Sequence, residues 1–322
     1  MNSRRAPRWT SLLLAVPAVV TAVASGLSFF GSLWWPLDLV ANFRPHFAVG
    51  LLFMGIVLIL GARRRLGVGV LVVGLVNAAT VAPLFIAPGG GGEPLGSTLT
   101  VMSFNVNGLN DRYSEVIEYI RAEDPDVVFI HEATFLWEDA LATADLPYRV
   151  EPGRQEPLDF GTLALVPETA EFRTFGFATT APRAVEVVLD VDETTVRLLG
   201  THPLSPSTEE RATLRDAQLG FARDWSAESS GRRIVAGDLN ATPWSLPFRR
   251  LVSGGGLVNS QRGYGLELTF PSGSSPLVQV PIDHVLYSEG FAVIDRRLGP
   301  PFGSDHFPLV VDLALVQMTD DR

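Results

Sequence analysis

The sequence predicts an α/β sandwich domain preceded by an N-terminal transmembrane region of three spans. Three observations carry this: a split in charge, uninterrupted apolar runs in the first 90 residues, and alternating strand-like and helix-like segments after them. Residues 1–92 hold seven Arg and one acidic residue, Asp38, a formal balance of +6. Residues 93–322 hold 18 Arg against 34 Asp and Glu, a balance of −16. All 25 basic residues are Arg, and there is no Cys, which excludes thiol catalysis, thiolate metal sites and disulfides and suits an extracytoplasmic location.

The first apolar run, residues 10–30, is uncharged and long enough for ~30 Å of hydrocarbon. A second covers about 47–62 and borrows from the preceding turn to make a span of 42–62. A third covers 66–87. Trp34 and Trp35 stand between the first two runs as interfacial anchors. Arg4, Arg5 and Arg8 precede the first span and Arg63, Arg64 and Arg65 join the second to the third, so the positive-inside rule places both clusters in the cytoplasm. Three crossings then leave the C-terminal domain outside. The alternative is a cleavable signal peptide built from Arg4–Arg8, the apolar run and Ala22-Val23-Ala24; the two remaining spans still deliver the domain to the outside. Gly67, Gly69 and Gly74 have the size for close helix packing, but chance in an Ala- and Gly-rich chain is the preferred reading. The transmembrane region is thus assigned to 1–88, a Gly/Pro-rich linker to 89–97 and the soluble domain to 98–316.

Within that domain, short β-branched runs predict strands at 99–104, 126–130, 162–166, 184–189, 196–199, 234–236, 284–287 and 307–311. Helices are predicted at 113–123, 136–144, 207–228 and 245–253, the first stopping before Pro125. Mixed strands and helices over this length point to an α/β sandwich.

Six segments in order, SFNVN (103–107), FIHE (129–132), GTHP (200–203), VAGDLN (235–240), PIDH (281–284) and GSDH (303–306), each set a polar group at or near the end of an apolar strand. Carboxylates, amides and imidazoles gathered in this way are what divalent-metal phosphoester chemistry requires: charge neutralisation, an activated water and help for the leaving oxygen. Glu132 is the best candidate ligand for Mg²⁺ or Mn²⁺, which prefer oxygen donors. Asn105 either adds an amide oxygen or orients Glu132. Asp238 and Asn240 lie two apart and face one way if extended, whereas the same three residues alone also read as a turn with Asx hydrogen bonds.

Taken together the six segments resemble the endonuclease/exonuclease/phosphatase family, over about residues 98–316. The resemblance implies a four-layered α/β sandwich, two central sheets flanked by helices, with the site at one end. It also implies roles. Asp238 positions or deprotonates the attacking water and Asn240 donates to a phosphoryl oxygen. Asp305 joins Glu132 and Asn105 at the metal. His306 contacts or protonates the phosphoryl group, Asp283 holds the His306 ring, and His202 is a second phosphate-contacting imidazole. His131 stands where the family often has Gln, and His284 follows the late Asp; both read as packed or solvent-facing rather than catalytic.

Family members cut DNA, RNA, inositol phosphates and sphingomyelin, so the fold does not name the substrate. The balance of −16 disfavours duplex nucleic acid, whose backbone calls for a basic surface. A linker of ~7 flexible residues keeps the domain near the bilayer and favours a lipid-borne phosphate or pyrophosphate, or another small phosphoester. Three spans followed by this domain also resemble bacterial membrane proteins linked to teicoplanin-type resistance, which implies a multi-pass cell-membrane location with the catalytic domain extracytoplasmic. The competing readings are an extracytoplasmic nuclease and a non-catalytic envelope binding protein.

Overall fold

The computed structural model describes residues 8–61, 63–89, 92–153, 160–177 and 181–318. The chain forms two compact units: the first ends at Ile86 and also takes in Trp244–Leu246, and the second holds the remainder from Ala87 on.

The N-terminal unit is helical: α1 (Arg8–Leu27), α2 (Trp35–Val40), α3 (Arg44–Leu60) and α4 (Arg64–Val81). Trp35–Leu60 (mean hydropathy 1.9) and Arg64–Phe85 (2.1) are long and apolar enough to cross a membrane, and Leu14–Phe30 is a shorter apolar helical stretch. Glycine does have a packing role here, against the expectation of chance. A Cβ on Gly67 would meet the Gly55 carbonyl at 2.7 Å, and one on Gly74 the Leu52 nitrogen at 2.8 Å, so α3 and α4 pack backbone to backbone. Gly69 faces open space. Asn77 on α4 donates to Ser25 Oγ on α1 at 2.7 Å, tying the first helix to the pair.

The second unit runs β1 (Pro94–Asn105), α5 (Tyr113–Glu123), β2 (Val127–Thr134), α6 (Phe135–Thr143), β3 (Arg149–Pro152), β4 (Phe160–Val166), β5 (Glu171–Phe175), β6 (Ala184–Val191) and β7 (Thr194–Gly200). It continues with α7 (Glu209–Glu228), β8 (Arg232–Asp238), α8 (Leu246–Gly254), β9 (Leu257–Asn259), β10 (Asp283–Ser288), β11 (Phe291–Leu298) and β12 (Leu309–Val316). β1 therefore starts inside the segment expected as linker. Two six-stranded sheets result, ordered β11-β12-β1-β2-β4-β3 and β5-β6-β7-β8-β10-β9. Each contains one parallel pair, β1 with β2 and β7 with β8, bridged by α5 and α7, as a parallel connection requires.

Side-chain alternation builds the layers. Val101, Phe129, Val187, Leu198, Ile234 and Val285 fill the space between the sheets. Met102, Phe104, Val128 and Ile130 face outward from the first sheet onto Val116 and Ile120 of α5 and Trp137 of α6. Leu199, Val235 and Leu286 face outward from the second onto Leu219 and Trp225 of α7 and Phe248 of α8. The arrangement is helix, sheet, sheet, helix. Strands covered on both faces explain the nearly continuous apolar runs in the sequence.

Candidate active site

The parallel pairs bring the C-terminal ends of β1, β2, β7 and β8 to one end of the sandwich. The antiparallel β10 and β12 begin there, with Asp283 directly opposite Asp238 and Leu309 opposite Ser103. All eight predicted site residues lie at this end.

Local backbone chemistry sets their directions. Glu132 does not end its strand as predicted: it occupies an irregularity in β2 between Ile130 and Ala133, at φ 56°. A bulge of this kind re-aims one side chain while the strand continues. Asp238 and Asn240 are not extended either. Asn240 adopts φ 48° and donates its backbone N–H to Asp238 Oδ1 at 3.0 Å, the Asx turn. Gly237, at φ 150°, precedes them; a Cβ there would meet the Thr201 carbonyl oxygen at 1.9 Å, so β8 and the start of the 201–207 loop approach only with glycine between them. That loop is held at successive residues: Asn240 Nδ2 donates to the Pro203 carbonyl at 2.9 Å, Leu204 N donates to Gln218 Oε1 at 3.1 Å, and Arg211 Nε donates to the Ser205 carbonyl at 2.9 Å.

Asn105 stands at the centre. Its Oδ1 accepts from Asn107 N at 3.1 Å, which turns the amide nitrogen toward Glu132 Oε1 (3.1 Å) and Asp238 Oδ2 (3.0 Å), with His306 Nε2 at 3.5 Å. Of the two roles open to it, the geometry matches orienting Glu132. His202 bridges the same carboxylates, Nε2 at 3.3 Å from Glu132 Oε1 and Nδ1 at 3.4 Å from Asp238 Oδ2. His306 Nδ1 lies 2.9 Å from Asp283 Oδ2 and its Nε2 lies 3.6 Å from Asp238 Oδ2. Phe270 packs on the His306 ring, centroids 4.7 Å apart. Asp305 is set apart: it is exposed and accepts from Asn107 Nδ2 at 3.1 Å.

The electrostatics follow from burial opposed by pairing. Burial would lower the pKa of His306, but the Asp283 and Asp238 charges outweigh it and raise it to about 10. His202 is likewise raised, burial being outweighed by Glu132 and Asp238. Burial would raise Glu132, yet its hydrogen bond with His202 brings it down to about 2. Asp238 is raised, chiefly by burial. Asp283 is lowered because the His306 charge beside it overcomes burial.

His131 and His284 are packed inside the fold rather than facing solvent. His131 is wholly buried, with Nε2 3.2 Å from Ser103 Oγ and Nδ1 3.1 Å from Thr162 Oγ1, and burial pushes it down to about 3. His284 Nε2 lies 2.9 Å from the Ala241 carbonyl, the ring rests on Phe248, and burial pushes it down to about 4.

Glu132, His202, Asp238, Asn240, Asp305 and His306 share a cavity of about 240 Å³ with Phe160, Leu204, Phe270, Ile282 and Arg211. Asn105 and Asp283 buttress it from behind. None of the apolar wall residues, nor Arg211, was singled out in the sequence: Phe160 opens β4, Leu204 and Phe270 lie in loops, Arg211 is on α7, and Ile282 sits within the PIDH segment but carries no polar group. Ser304 was also passed over, although it lies in the GSDH segment: its hydroxyl donates to the Asn105 carbonyl at 2.7 Å and accepts from His306 N at 3.0 Å. The donor set fits a hard divalent cation: Glu132, Asp238 and Asp305 put carboxylates into one cavity whose cationic groups are two imidazoles and Arg211. Asp238, Asp283 and His306 also form a group whose ligand atoms all lie within 4.8 Å of one another.

The family model described as endonuclease/exonuclease/phosphatase family matches residues 102–306. No curated protein matches the sequence. Among solved structures, a humanized D. rerio TDP2 superposes with a TM-score of 0.57 at 17% identity, over 67% of this chain and 98% of that one. An endonuclease/exonuclease/phosphatase from Beutenbergia cavernae gives 0.53 at 19% identity, over 69% and 72%. A functionally unknown conserved protein from Enterococcus faecalis gives 0.54 at 17% identity, over 67% and 100%. These likenesses agree with the fold, and with a family match that runs from β1 to the GSDH turn, the chain belongs to the endonuclease/exonuclease/phosphatase family.

Proposed function

We propose that the protein is a membrane-anchored, divalent-metal-dependent phosphoesterase that hydrolyses a phosphate ester or pyrophosphate of an envelope lipid or cell-wall precursor. The observation that carries the chemistry is the convergence of Asn105, Glu132, His202, Asp238 and the Asp283–His306 pair on one small cavity.

Each residue has a task in hydrolysis. Mg²⁺ or Mn²⁺ held by Glu132 and Asp305, with Asn105 orienting Glu132, would supply neutralisation of phosphoryl charge. Asp238, with Oδ1 occupied by Asn240 N, uses its second oxygen to accept the proton of the attacking water. As the water oxygen bonds to phosphorus, the bond from phosphorus to the leaving oxygen breaks. Asp283 fixes the His306 ring through Nδ1, so Nε2 is the nitrogen presented to the phosphoryl group or to the departing oxygen. His202 and the remaining N–H of Asn240 serve as donors to the phosphoryl oxygens.

Support for a lipid substrate is separate and comes from the apolar cavity wall (Phe160, Leu204, Phe270, Ile282), the acidic domain and the apolar N-terminal helices. The resemblance to teicoplanin-resistance-linked membrane proteins agrees with it. The nuclease reading is compatible with the same residues. Purified full chain with Mg²⁺, assayed in parallel on plasmid DNA and a polyprenyl diphosphate, separates the two: phosphate release from the lipid supports this proposal, and fast DNA cleavage without lipid turnover overturns the substrate choice.

A further inference from the structure

A second cavity, of about 610 Å³, opens far from the catalytic residues. It is lined by β9 and β10 of one sheet, β11 of the other and the chain at 87–89 and Gly92, and Tyr287, in its wall, is four residues along β10 from Asp283. At ~3.4 Å per residue that is ~14 Å from the catalytic end. The volume falls in the range of small-molecule sites, ~300–1,000 Å³.

Its lining is amphipathic in a specific way. Leu257, Val258, Phe291 and Val293 provide apolar walls from both sheets. Two side chains of its wall carry hydrogen-bond donors without partners among the described residues. Tyr287 is only 4% exposed, yet among the described residues its hydroxyl has no hydrogen-bond partner. Arg262 makes no side-chain hydrogen bond or ion pair among the described residues, and its buried Nε is unsatisfied. The two groups feel each other: burial raises the Tyr287 pKa while the Arg262 charge opposes the rise. Glu289, in the same wall, is engaged in an interaction of its own. A buried guanidinium nitrogen left unpaired is costly, and a guanidinium near a hydroxyl matches the oxygens of an anion.

We propose that this cavity binds an anionic amphiphile, its phosphate or carboxylate head on Arg262 and Tyr287 and its apolar body along Leu257, Val258, Phe291 and Val293. The site is independent of the phosphoesterase reading and would hold even if the catalytic cavity were inactive.

The test uses the full chain in a nonionic detergent, titrated calorimetrically with octyl phosphate, octanoate, octanol and inorganic phosphate against detergent blanks. Octyl phosphate or octanoate is expected to bind saturably, at least tenfold tighter than octanol or inorganic phosphate. Arg262→Gln should weaken binding at least tenfold. Tyr287→Phe, which removes one oxygen and keeps the ring, should weaken it about threefold and keeps the test sound if the Arg262 variant melts early. His306→Ala, in the other cavity, should leave the affinity within twofold. Absence of saturable binding, equal affinity for inorganic phosphate, or binding lost in His306→Ala but kept in Arg262→Gln would each overturn the proposal.

Discussion

Asp283 Oδ2 and His306 Nδ1 meet at 2.9 Å in a buried pair, although 22 residues separate them in the chain and they come from different segments. The contact fixes which imidazole nitrogen faces the cavity and places the second nitrogen within 3.6 Å of Asp238. Asp283 in turn is seated by Thr269, whose Oγ1 accepts from the Asp283 backbone N–H at 3.2 Å.

Asp283→Asn keeps the shape but removes the charge that holds His306 protonated. Turnover is expected to fall ~10²-fold or more, the range for a positioned acid or base, with KM changed little. Because the two residues act as one unit, the double variant with His306→Ala should be no slower than His306→Ala alone. Additive losses in a double-mutant cycle would contradict the pairing.

Gly237→Ala should damage both fold and site. The φ of 150° disfavours a side chain, and the new Cβ would meet the Thr201 carbonyl at 1.9 Å. A stability loss of at least ~2 kcal/mol is expected, together with loss of activity as the Asp238 and His202 segments are forced apart. A denaturation midpoint equal to wild type would show that this approach is not tight.

His284 links stability to acid. Its folded pKa of about 4 lies below the ordinary 6.5, so the fold favours the neutral ring. That contribution is complete above pH 6.5 and is lost as pH falls towards 4, on the order of 3 kcal/mol by then. The denaturation midpoint of His284→Gln should therefore fall less than that of wild type between pH 7 and 4. Parallel pH profiles would show that His284 does not contribute to acid sensitivity.

The proposed orientation has its own test. Alkaline phosphatase fused after residue 95 is expected to be active in intact cells, because the proposed three spans, with their Arg clusters in the cytoplasm, would end outside. A well-expressed but inactive fusion would reverse the orientation.

All eight predicted strands and all four predicted helices of the second unit are present, because strands covered on both faces read as apolar runs. The strands the sequence did not reveal are β3, β5, β9 and β11, the four sheet edges. Edge strands pair on one side only and carry polar residues such as Glu171 and Arg173 of β5, which breaks the apolar pattern. In the site, residue types and order were legible but directions only in part. The turn at Asn240 is local and was one of the two readings its three residues allowed, whereas the bulge at Glu132 depends on the neighbouring strand, and Arg211 of α7 and Phe270 of a loop reach the cavity with no local signature. Gly67 and Gly74 looked like chance for the same reason: their role exists only once α3 lies against α4.

The most direct test of the central claim is phosphate release by the full chain from a polyprenyl diphosphate with Mg²⁺, with Mg²⁺ plus chelator, and with the Glu132→Gln variant. Steady release is expected with Mg²⁺ alone, restored when excess Mg²⁺ follows the chelator, with a fall of at least ~10²-fold in Glu132→Gln. Release that is unchanged by chelator and by Glu132→Gln would contradict a metal-dependent phosphoesterase built on these residues.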